Sequence, residues 1–189
     1  EKYNVAVFSS NYNLYGDLSM RVMDTLRNIV GKEQVEVYSV DEAFLKLDMV
    51  AEKDMHTTCK EIKEKVEQWT GIKVSIGAAP TKVLSKVANR LSKKNKKESQ
   101  GVMVLQSIQE IKEALECTYI DDIWGVGRQY AMKLHHLGID NGWQLRNMPE
   151  EWARKNMGGV VGARLIKELR GISCIPMKDP LEVKKMIAT

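Results

Sequence analysis

Two adjacent carboxylates, Asp41 and Glu42, lie between two apolar runs of the sequence, at residues 35–40 and 44–47. Both runs have the composition of β-strands. Neighbouring side chains of one continuous strand point to opposite faces, so the two carboxylates can share an ion only if the chain turns between the runs. A hairpin there would raise both carboxylates to the rim of a sheet. Carboxylates and substrate phosphates commonly hold Mg²⁺ in proteins, and the pair therefore predicts phosphoryl transfer.

Positive charge is concentrated between residues 82 and 97. Seven of the 29 basic residues and none of the 25 acidic residues of the chain lie in this segment. The excess of basic residues behind the formal net charge of +4 therefore lies in this one segment. A basic surface concentrated in one segment is expected for a protein that binds a polyphosphate. At about 100° per residue, Lys82, Lys86 and Lys93 share one line of the predicted helix, beside an apolar stripe. A solvated helix end with a lysine-rich loop explains the charge alone equally well.

The residues just before this basic helix predict how it is held. Residues 74–79 have the pattern of a strand that runs into a glycine-containing turn, and Thr81 is a suitable helix N-cap. A strand, a turn and a lysine-lined helix can present positive charge at a sheet edge. We expect Asp41 and Glu42 at the same edge.

The composition excludes several classes of protein. With 43% hydrophobic residues in 189, the chain can bury a core and form one large domain or two small ones. No apolar run approaches the roughly 20 residues needed to cross a bilayer, and no basic-then-apolar leader opens the chain, which predicts a cytoplasmic protein without a membrane partner. The cysteines lack C-x-x-C spacing and the histidines lack metal-ligand spacing. The first residue, Glu1, and the abrupt end of the last apolar-polar alternation predict a piece of a longer protein.

Hydrophobic periodicity predicts an α+β first half, with strands packed under helices. The predicted elements are a strand at residues 5–9, a helix at 14–29, the hairpin at 35–47, a helix at 53–69, a strand at 74–79, the lysine helix, and a strand at 102–105. After Ser107 the sequence changes to short helices separated by glycines. We place a domain boundary near residues 105–110.

A motif in the second half, D-D-I-W-G-V-G-R at residues 121–128, has the form of a helix-hairpin-helix when read with the helix that follows. Glycines in its turn let backbone N–H groups approach a phosphate at the start of a helix, where the dipole favours an anion. Such contacts hold DNA without reading its sequence. The residues that we predict to contact DNA here are Gly125, Val126, Gly127, Arg128 and Lys133. An ordinary glycine-capped turn is the alternative, and it fits a weaker copy of the motif at residues 158–165 equally well.

Three motifs in this order and spacing resemble those of the Y-family translesion DNA polymerases. They are Y-S-V-D-E-A-F at residues 38–44, V-S-I-G-A-A-P-T-K-V-L-S-K-V-A-N at 74–89, and D-D-I-W-G-V-G-R at 121–128. The run F-S-S-N-Y-N-L-Y-G-D-L-S-M-R-V at 8–22 is most similar to the UmuC-type branch of the family. The resemblance covers nearly the whole chain and implies a polymerase palm, a sheet with packed helices, followed by a small all-helical thumb. The implied division is a partial palm at 1–106, a thumb with the helix-hairpin-helix at 107–174, and a linker at 175–189 toward a little finger domain outside this chain.

The resemblance also implies roles for individual residues. Asp41 would bridge two Mg²⁺ ions, Glu42 would hold the ion that activates the primer 3′-OH, and Lys93 would contact the incoming triphosphate. The family has a third carboxylate on a first palm strand that this chain does not match. The proline that often follows the family lysine is replaced here by Lys94, so the path of the next loop is not implied.

Other positions in these motifs receive lesser roles. Ser39, Lys82 and Lys86 are expected near DNA or in support of the site. Tyr12, Tyr15 and Ser19 are expected at helix and core positions of the palm.

The leading hypothesis is a piece of a template-directed, error-tolerant DNA polymerase of the bacterial SOS response, inactive alone and associated with the nucleoid when part of the whole. The resemblance implies primer-template DNA and deoxynucleoside triphosphates as substrates. It also implies a processed regulatory subunit, a recombinase filament and a sliding clamp as partners. A non-catalytic DNA-binding module remains open as the alternative, with the carboxylate pair in a solvated turn. A palm-like nucleotidyl cyclase would leave the glycine turn unexplained.

Overall fold

The computed structural model describes residues 5–6 and 8–178 of the chain. Its strands are β1 (Val35–Val37), β2 (Ala43–Leu45), β3 (Ile76–Ala78) and β4 (Val102–Val104). Its helices are α1 (Tyr12–Val30), α2 (Met55–Thr70), α3 (Lys82–Lys94), α4 (Lys96–Ser99), α5 (Ile108–Glu116), α6 (Arg128–His136), α7 (Gly142–Arg146), α8 (Glu150–Asn156) and α9 (Val160–Leu169), with 3₁₀ turns at Lys32–Gln34, Glu52–Asp54 and Ile120–Asp122. The mixed helix and strand character predicted for the first half is confirmed, and over the described residues no helix is long and apolar enough to span a membrane.

The strands form two separate sheets of two strands each. Strand β1 pairs with β2 as an antiparallel hairpin, and β3 pairs with β4 in parallel. The strand predicted at residues 5–9 is not found over the described part of that range, so this prediction is wrong there. A strand requires a neighbour for its backbone hydrogen bonds, and within the described residues the two sheets contain no strand from this segment.

Helix α1 confirms the helix predicted at residues 14–29, but the expectation of core positions on it is wrong for its tyrosines. Tyr12 and Tyr15 are 82% and 59% exposed, whereas Ser19 is half-buried. The buried apolar residue of this helix is Met23, two turns further along. Periodicity alone does not tell which end of a helix is covered.

Helix α3 begins where the sequence predicts. The Thr81 hydroxyl accepts a hydrogen bond from the Leu84 amide and so satisfies one of the donors left free in the first turn. Basic residues occupy the last turn, where cations interact favourably with the helix dipole. The apolar stripe is buried, and it consists of Val83, Leu84, Val87, Ala88 and Leu91.

Strand β3 approaches α3 so closely that only glycine fits at its centre. A Cβ on Gly77 would lie 2.1 Å from the Asn89 amide nitrogen and 2.4 Å from the Ser85 carbonyl oxygen. The Asn89 side chain also donates a hydrogen bond to the Ser75 carbonyl at 2.8 Å. The strand is thereby fixed against the helix that carries the lysines.

The helices after Ser107 pack onto the same core as α3. Helix α5 begins with a capping box in which Ser107 and Glu110 each bond to the backbone amide of the other. One apolar cluster then extends from Val83 in α3 to Leu169 in α9. A continuous core therefore crosses residues 105–110, and the domain boundary there stays a prediction.

The segment after α9 is tied to both halves of the chain. The buried Glu168 carboxylate accepts hydrogen bonds from the amides of Cys174 and Ile175 at 2.5 and 3.0 Å. The Lys178 amide donates to Glu36 of β1 at 2.9 Å. The remainder of the predicted linker, residues 179–189, lies outside the described residues.

We expect Gly77→Ala to destabilise the chain by at least about 1–3 kcal/mol, because the added methyl would overlap backbone atoms of α3. Gly16→Ala is the matched control, since a Cβ there has no neighbour within 4 Å. It should stabilise helix α1 by about 0.5–1 kcal/mol through helix propensity. Urea unfolding followed by circular dichroism gives both values, and equal stabilities would contradict the packing of β3 on α3.

Candidate active site

The carboxylate pair lies at the tip of the β1–β2 hairpin. The amides of Tyr38 and Ser39 both donate to the Glu42 carbonyl at 3.0 Å and close the turn. The Ser39 hydroxyl donates to Asp41 Oδ1 at 2.7 Å and so orients this exposed carboxylate. The prediction that the chain turns between the two apolar runs is confirmed.

Two lysines of α3 predicted near DNA are ion-paired within the chain. Lys86 Nζ lies 2.6 Å from Glu42 Oε1. Lys82 pairs with Glu36, whose side chain is 4% exposed, and also donates to the Pro176 carbonyl at 2.9 Å. Both ammonium charges are matched by carboxylates, which favours a supporting role for these lysines over direct contact with a phosphate.

Lys93, predicted to contact a triphosphate, is exposed near the end of α3. Arg90 and Lys94 of the same helix both pair with Asp122. Lys93 has no carboxylate partner of this kind within the part of the chain that the structure describes. It lines the same cleft as the carboxylate pair, so this cleft combines two carboxylates with an ammonium that is available to an anion.

This cleft has a volume of about 1380 Å³ and runs between the two sheets. Every residue of β2 and β3 lines it, and none of β1 does. Its floor includes buried residues of α2, namely Cys59, Ile62 and Val66. Burial raises the pKa of the Cys59 thiol to about 11, so this cysteine stays protonated and acts as a packing residue.

The oxygens left free on the carboxylate pair determine what it can hold. One oxygen of Asp41 accepts from Ser39 and one of Glu42 pairs with Lys86, so each carboxylate keeps a second oxygen without a partner among the described residues. Those residues contain no cluster of three or more carboxylate, histidine or cysteine side chains that could hold a metal. Mg²⁺ is usually bound by one or two carboxylates together with waters and substrate phosphates. The pair fits this ion as part of a larger ligand set.

The two glycines of the predicted DNA-binding turn differ in conformation. Gly125 has a φ of +97°, which side chains other than glycine rarely adopt, whereas Gly127 has an ordinary φ of −78°. A Cβ on Gly127 would meet no atom within 4 Å. Gly127 is the N-cap of α6 and has no side chain to satisfy the amides of the first turn. No acceptor outside the helix is found for these amides among the described residues, so they are open to an external acceptor.

The other residues predicted in this turn have distinct surroundings. Val126 is 8% exposed and its side chain belongs to the apolar core, so only its backbone can face a ligand. Arg128 is exposed, and Lys133 Nζ donates to the Asn156 carbonyl at 3.0 Å. In the weaker copy, Gly158 and Gly159 both have positive φ and precede α9.

Sequence reasoning missed an aromatic cluster that connects the hairpin to this turn. The rings of Tyr38, Phe44 and Trp124 have centroids 5.6 to 5.7 Å apart, and Trp124 Nε1 donates to Tyr38 Oη at 3.0 Å. Glu36 was missed as well, because its partner Lys82 lies 46 residues away. The alternation of side chains along β1 indicates which face of the strand Glu36 lies on, but it does not identify Lys82 as the partner of Glu36.

His135 joins two carboxylates beside the turn. Its Nδ1 lies 2.6 Å from Asp140 and its Nε2 2.7 Å from Asp121. The hydrogen bonds to Asp140 and then to Asp121 raise the pKa of His135 above its usual value, and the bond from His135 lowers the pKa of Asp121. His135 therefore connects Asp121, in the 3₁₀ turn at Ile120–Asp122, to Asp140 in the loop after α6.

Comparison with known proteins gives matches over nearly the whole chain. Residues 1–90 match the model of the impB/mucB/samB family. The sequence is 38% identical over 184 residues to protein UmuC of Salmonella typhimurium. The aligned region covers 97% of this chain and 43% of UmuC. The chain thus spans less than half the length of that relative.

Solved structures are similar in fold as well. Superposition on a DinB family error prone DNA polymerase from Sulfolobus solfataricus gives a TM-score of 0.72 at 26% sequence identity. The matched region covers 92% of this chain and 51% of that polymerase chain. Superposition on an insertion ternary complex of Dbh DNA polymerase gives a TM-score of 0.70 at 26% sequence identity. The matched region covers 89% of this chain and 47% of the Dbh chain.

We expect the stability that His135 contributes to depend on pH. Because its pKa is raised in the folded chain, the contribution is fully present below the ordinary histidine value of about 6.5 and is lost as the pH rises through the raised value. The difference in free energy of unfolding between wild type and His135→Gln should therefore shrink as the pH rises. In a background that already carries Asp121→Asn and Asp140→Asn, His135→Gln should change the free energy of unfolding by an amount that does not depend on pH in this way. A constant difference in both backgrounds would contradict the ion pairs.

Proposed function

Because the chain belongs with the UmuC-like Y-family DNA polymerases in sequence and in fold, we propose that it is the palm and thumb part of a polymerase that extends primers past damaged bases. The observation that carries this proposal is the carboxylate pair at the hairpin tip, facing the same cleft as Lys93. Relatives described as DNA polymerases supply the reaction class. The whole protein would transfer a nucleotide from a deoxynucleoside triphosphate to a primer 3′-OH on a DNA template.

The domain division follows the change in secondary structure. We assign residues 1–106, with the described strands and the carboxylate pair, to the palm. We assign residues 107–174, which the structure describes as helices and turns, to the thumb. The continuous core between them supports a fixed arrangement of the two parts.

The carboxylates would hold metal and Lys93 would bind the nucleotide. Asp41 is proposed as the ligand shared by two Mg²⁺ ions and Glu42 as a ligand of the ion next to the primer. Bound Mg²⁺ stabilises the attacking and leaving oxygens of the phosphoryl transfer. Lys93 would offset the charge of the departing pyrophosphate, a role supported by its exposure and by its place on the same cleft.

The third carboxylate would come from outside this chain, on a strand between β2 and β3. The cleft supports this proposal because all residues of both strands line it and each strand has only one partner strand among the described residues, and an unpaired strand edge is a template for pairing. A strand there would join the two sheets into one and bring its side chains beside Asp41. The chain alone, with two of three carboxylates, is then expected to be inactive.

DNA would be bound at the turn before α6, as a helix-hairpin-helix. The open amides at Gly127, the exposed Arg128 and the nearby Lys133 support a phosphate contact there. Lys82 and Lys86 are assigned to support of the hairpin, and their contact with DNA stays a prediction. Action in the bacterial cytoplasm during the SOS response, with a processed regulatory subunit, a recombinase filament and a sliding clamp, also stays a prediction.

A non-catalytic DNA-binding module is the second candidate function. It is favoured by one observation, the absence of a third metal-binding side chain near the carboxylate pair over the described residues. Activity of the complete protein separates the two.

In the complete protein, Asp41→Ala should abolish primer extension with Mg²⁺ on a lesion-bearing template, because both proposed Mg²⁺ ions lose the ligand that they share. Asp24→Ala is the control, since Asp24 pairs on the surface with Arg27. Binding of primer-template DNA should be nearly equal in both variants. Full extension by Asp41→Ala would remove this residue from the site, and DNA binding without extension by wild type would favour the second candidate.

Gly127→Ala should weaken DNA binding of the complete protein without loss of stability, because the new methyl has space in the protein but would obstruct a phosphate at the helix start. A loss of about 1.5–3 kcal/mol is expected for a hydrogen bond to a charged group that can no longer form. Gly125→Ala should instead reduce stability, since its positive φ strains alanine. Fluorescence anisotropy at several salt concentrations and thermal unfolding separate the two effects. Unchanged affinity and salt dependence in a folded Gly127→Ala would refute the helix-hairpin-helix.

A further inference from the structure

We propose that Lys86 is a positioning residue for the Glu42 carboxylate and that it connects this carboxylate to the turn before α6. The inference deepens the proposed function and rests on it, because Glu42 is the ligand proposed there for the metal beside the primer. It adds a dependence of the metal-binding hairpin on the DNA-binding turn.

The first support is the ion pair between Lys86 and Glu42. Lys86 Nζ lies 2.6 Å from Glu42 Oε1, and the Lys86 side chain is only 21% exposed. Charge-assisted hydrogen bonds of this length are among the stronger polar contacts in proteins. Partial burial reduces screening by salt. The bond holds one oxygen of Glu42 and thereby directs the other.

The second support is the aromatic surroundings of the Lys86 ammonium. Nζ lies 4.8 Å from the ring centroid of Tyr38, 6.0 Å from that of Phe44 and 5.9 Å from that of Trp124. These distances fall within about 6 Å, the range of cation–π attraction. Tyr38 and Phe44 belong to the hairpin, whereas Trp124 immediately precedes the glycine turn. One ammonium is therefore attracted by rings from both parts of the site.

The third support is a parallel connection through Tyr38. Trp124 Nε1 donates to Tyr38 Oη at 3.0 Å, and the Tyr38 amide donates to the Glu42 carbonyl at 3.0 Å. The backbone and the carboxylate of Glu42 are thus held by two residues that both contact Trp124. A displacement of this tryptophan would loosen both contacts at once.

Two other lysines of α3 distinguish this arrangement from general charge pairing. Lys82 also lies 4.8 Å from the Phe44 ring centroid, but it pairs with Glu36 inside β1 and so holds the strand and not the tip. Lys94 pairs with Asp122 at 3.8 Å and lies 5.7 Å from the Tyr119 ring centroid. Lys94 has the same kinds of contact away from Glu42, which makes it the matched control.

The test compares four single variants of the complete protein and one double variant. Lys86→Met removes the ammonium and keeps an apolar stem, and Lys86→Arg restores a cation. Trp124→Phe keeps a ring but removes the donor to Tyr38, and Lys94→Met is the control. Single-nucleotide insertion gives kcat and the KM for the nucleotide, and anisotropy gives the affinity for primer-template DNA. Hydrogen exchange of the hairpin peptide at residues 35–45 gives a readout that needs neither metal nor activity.

We expect Lys86→Met to lower kcat by at least about tenfold, as for loss of a hydrogen bond to a charged group. DNA affinity should stay within about twofold of wild type, because phosphate contacts at the turn are retained. Exchange at the hairpin should become faster in Lys86→Met and in Trp124→Phe, and Lys86→Arg should recover part of kcat. Combining Lys86→Met with Trp124→Phe should cost less than the product of the single effects, since both act on Glu42.

Wild-type or increased kcat with unchanged exchange in Lys86→Met would overturn the proposal, because Lys86 would then be only a counter-ion. An equal loss in Lys94→Met would also overturn it. Failure of the proposed function has a different signature, which is retained extension by Asp41→Ala. Trp124→Phe keeps every charge, so its exchange rate tests the proposal even where Lys86→Met does not fold.

Discussion

The position of helix α3 is the constraint on which the rest of the structure depends. Its apolar face packs against β3, α5 and α9, while its basic edge meets carboxylates of the hairpin and of the 3₁₀ turn at Ile120–Asp122. A shift of this helix by one turn, about 5.4 Å, would separate all of these pairs together. The geometry of the candidate site is therefore set by the packing of one helix, with Gly77 permitting the close approach.

Four of the seven basic residues at positions 82–97 pair with three carboxylates among the described residues. The pair of Lys82 and Glu36 is nearly buried, with side chains 9% and 4% exposed. Removal of one partner from such a pair typically costs about 3–5 kcal/mol, because it leaves an uncompensated charge, whereas the intact pair adds little net stability. These lysines thus specify where the hairpin sits. Lys93, near the end of α3, is exposed and has no carboxylate partner among the described residues, so its charge is available to an anion.

Local patterns predicted the parts of the site that depend on local chemistry. Adjacent carboxylates between strands predicted the hairpin tip, and Thr81 predicted the start of α3. Contacts between distant residues could not be read in this way, since Trp124 and Tyr38 are separated by 86 positions. The sequence also does not show that Gly125 and Gly127 are glycine for different structural reasons. The first needs glycine for its backbone conformation, whereas the second leaves space beside its backbone.

Two features of the strands bear on how the cleft is built. The described strands form two sheets of two strands each, and the strand predicted at residues 5–9 is not found in its described part. A two-stranded sheet is marginal alone and depends on packing or on further strands. Here all residues of β2 and β3 line the cleft, together with buried residues of α2. Under the proposed function, a strand supplied by the complete protein would pair with β2 and β3, and its side chains at the hairpin tip would complete the ligand set that Asp41 and Glu42 begin.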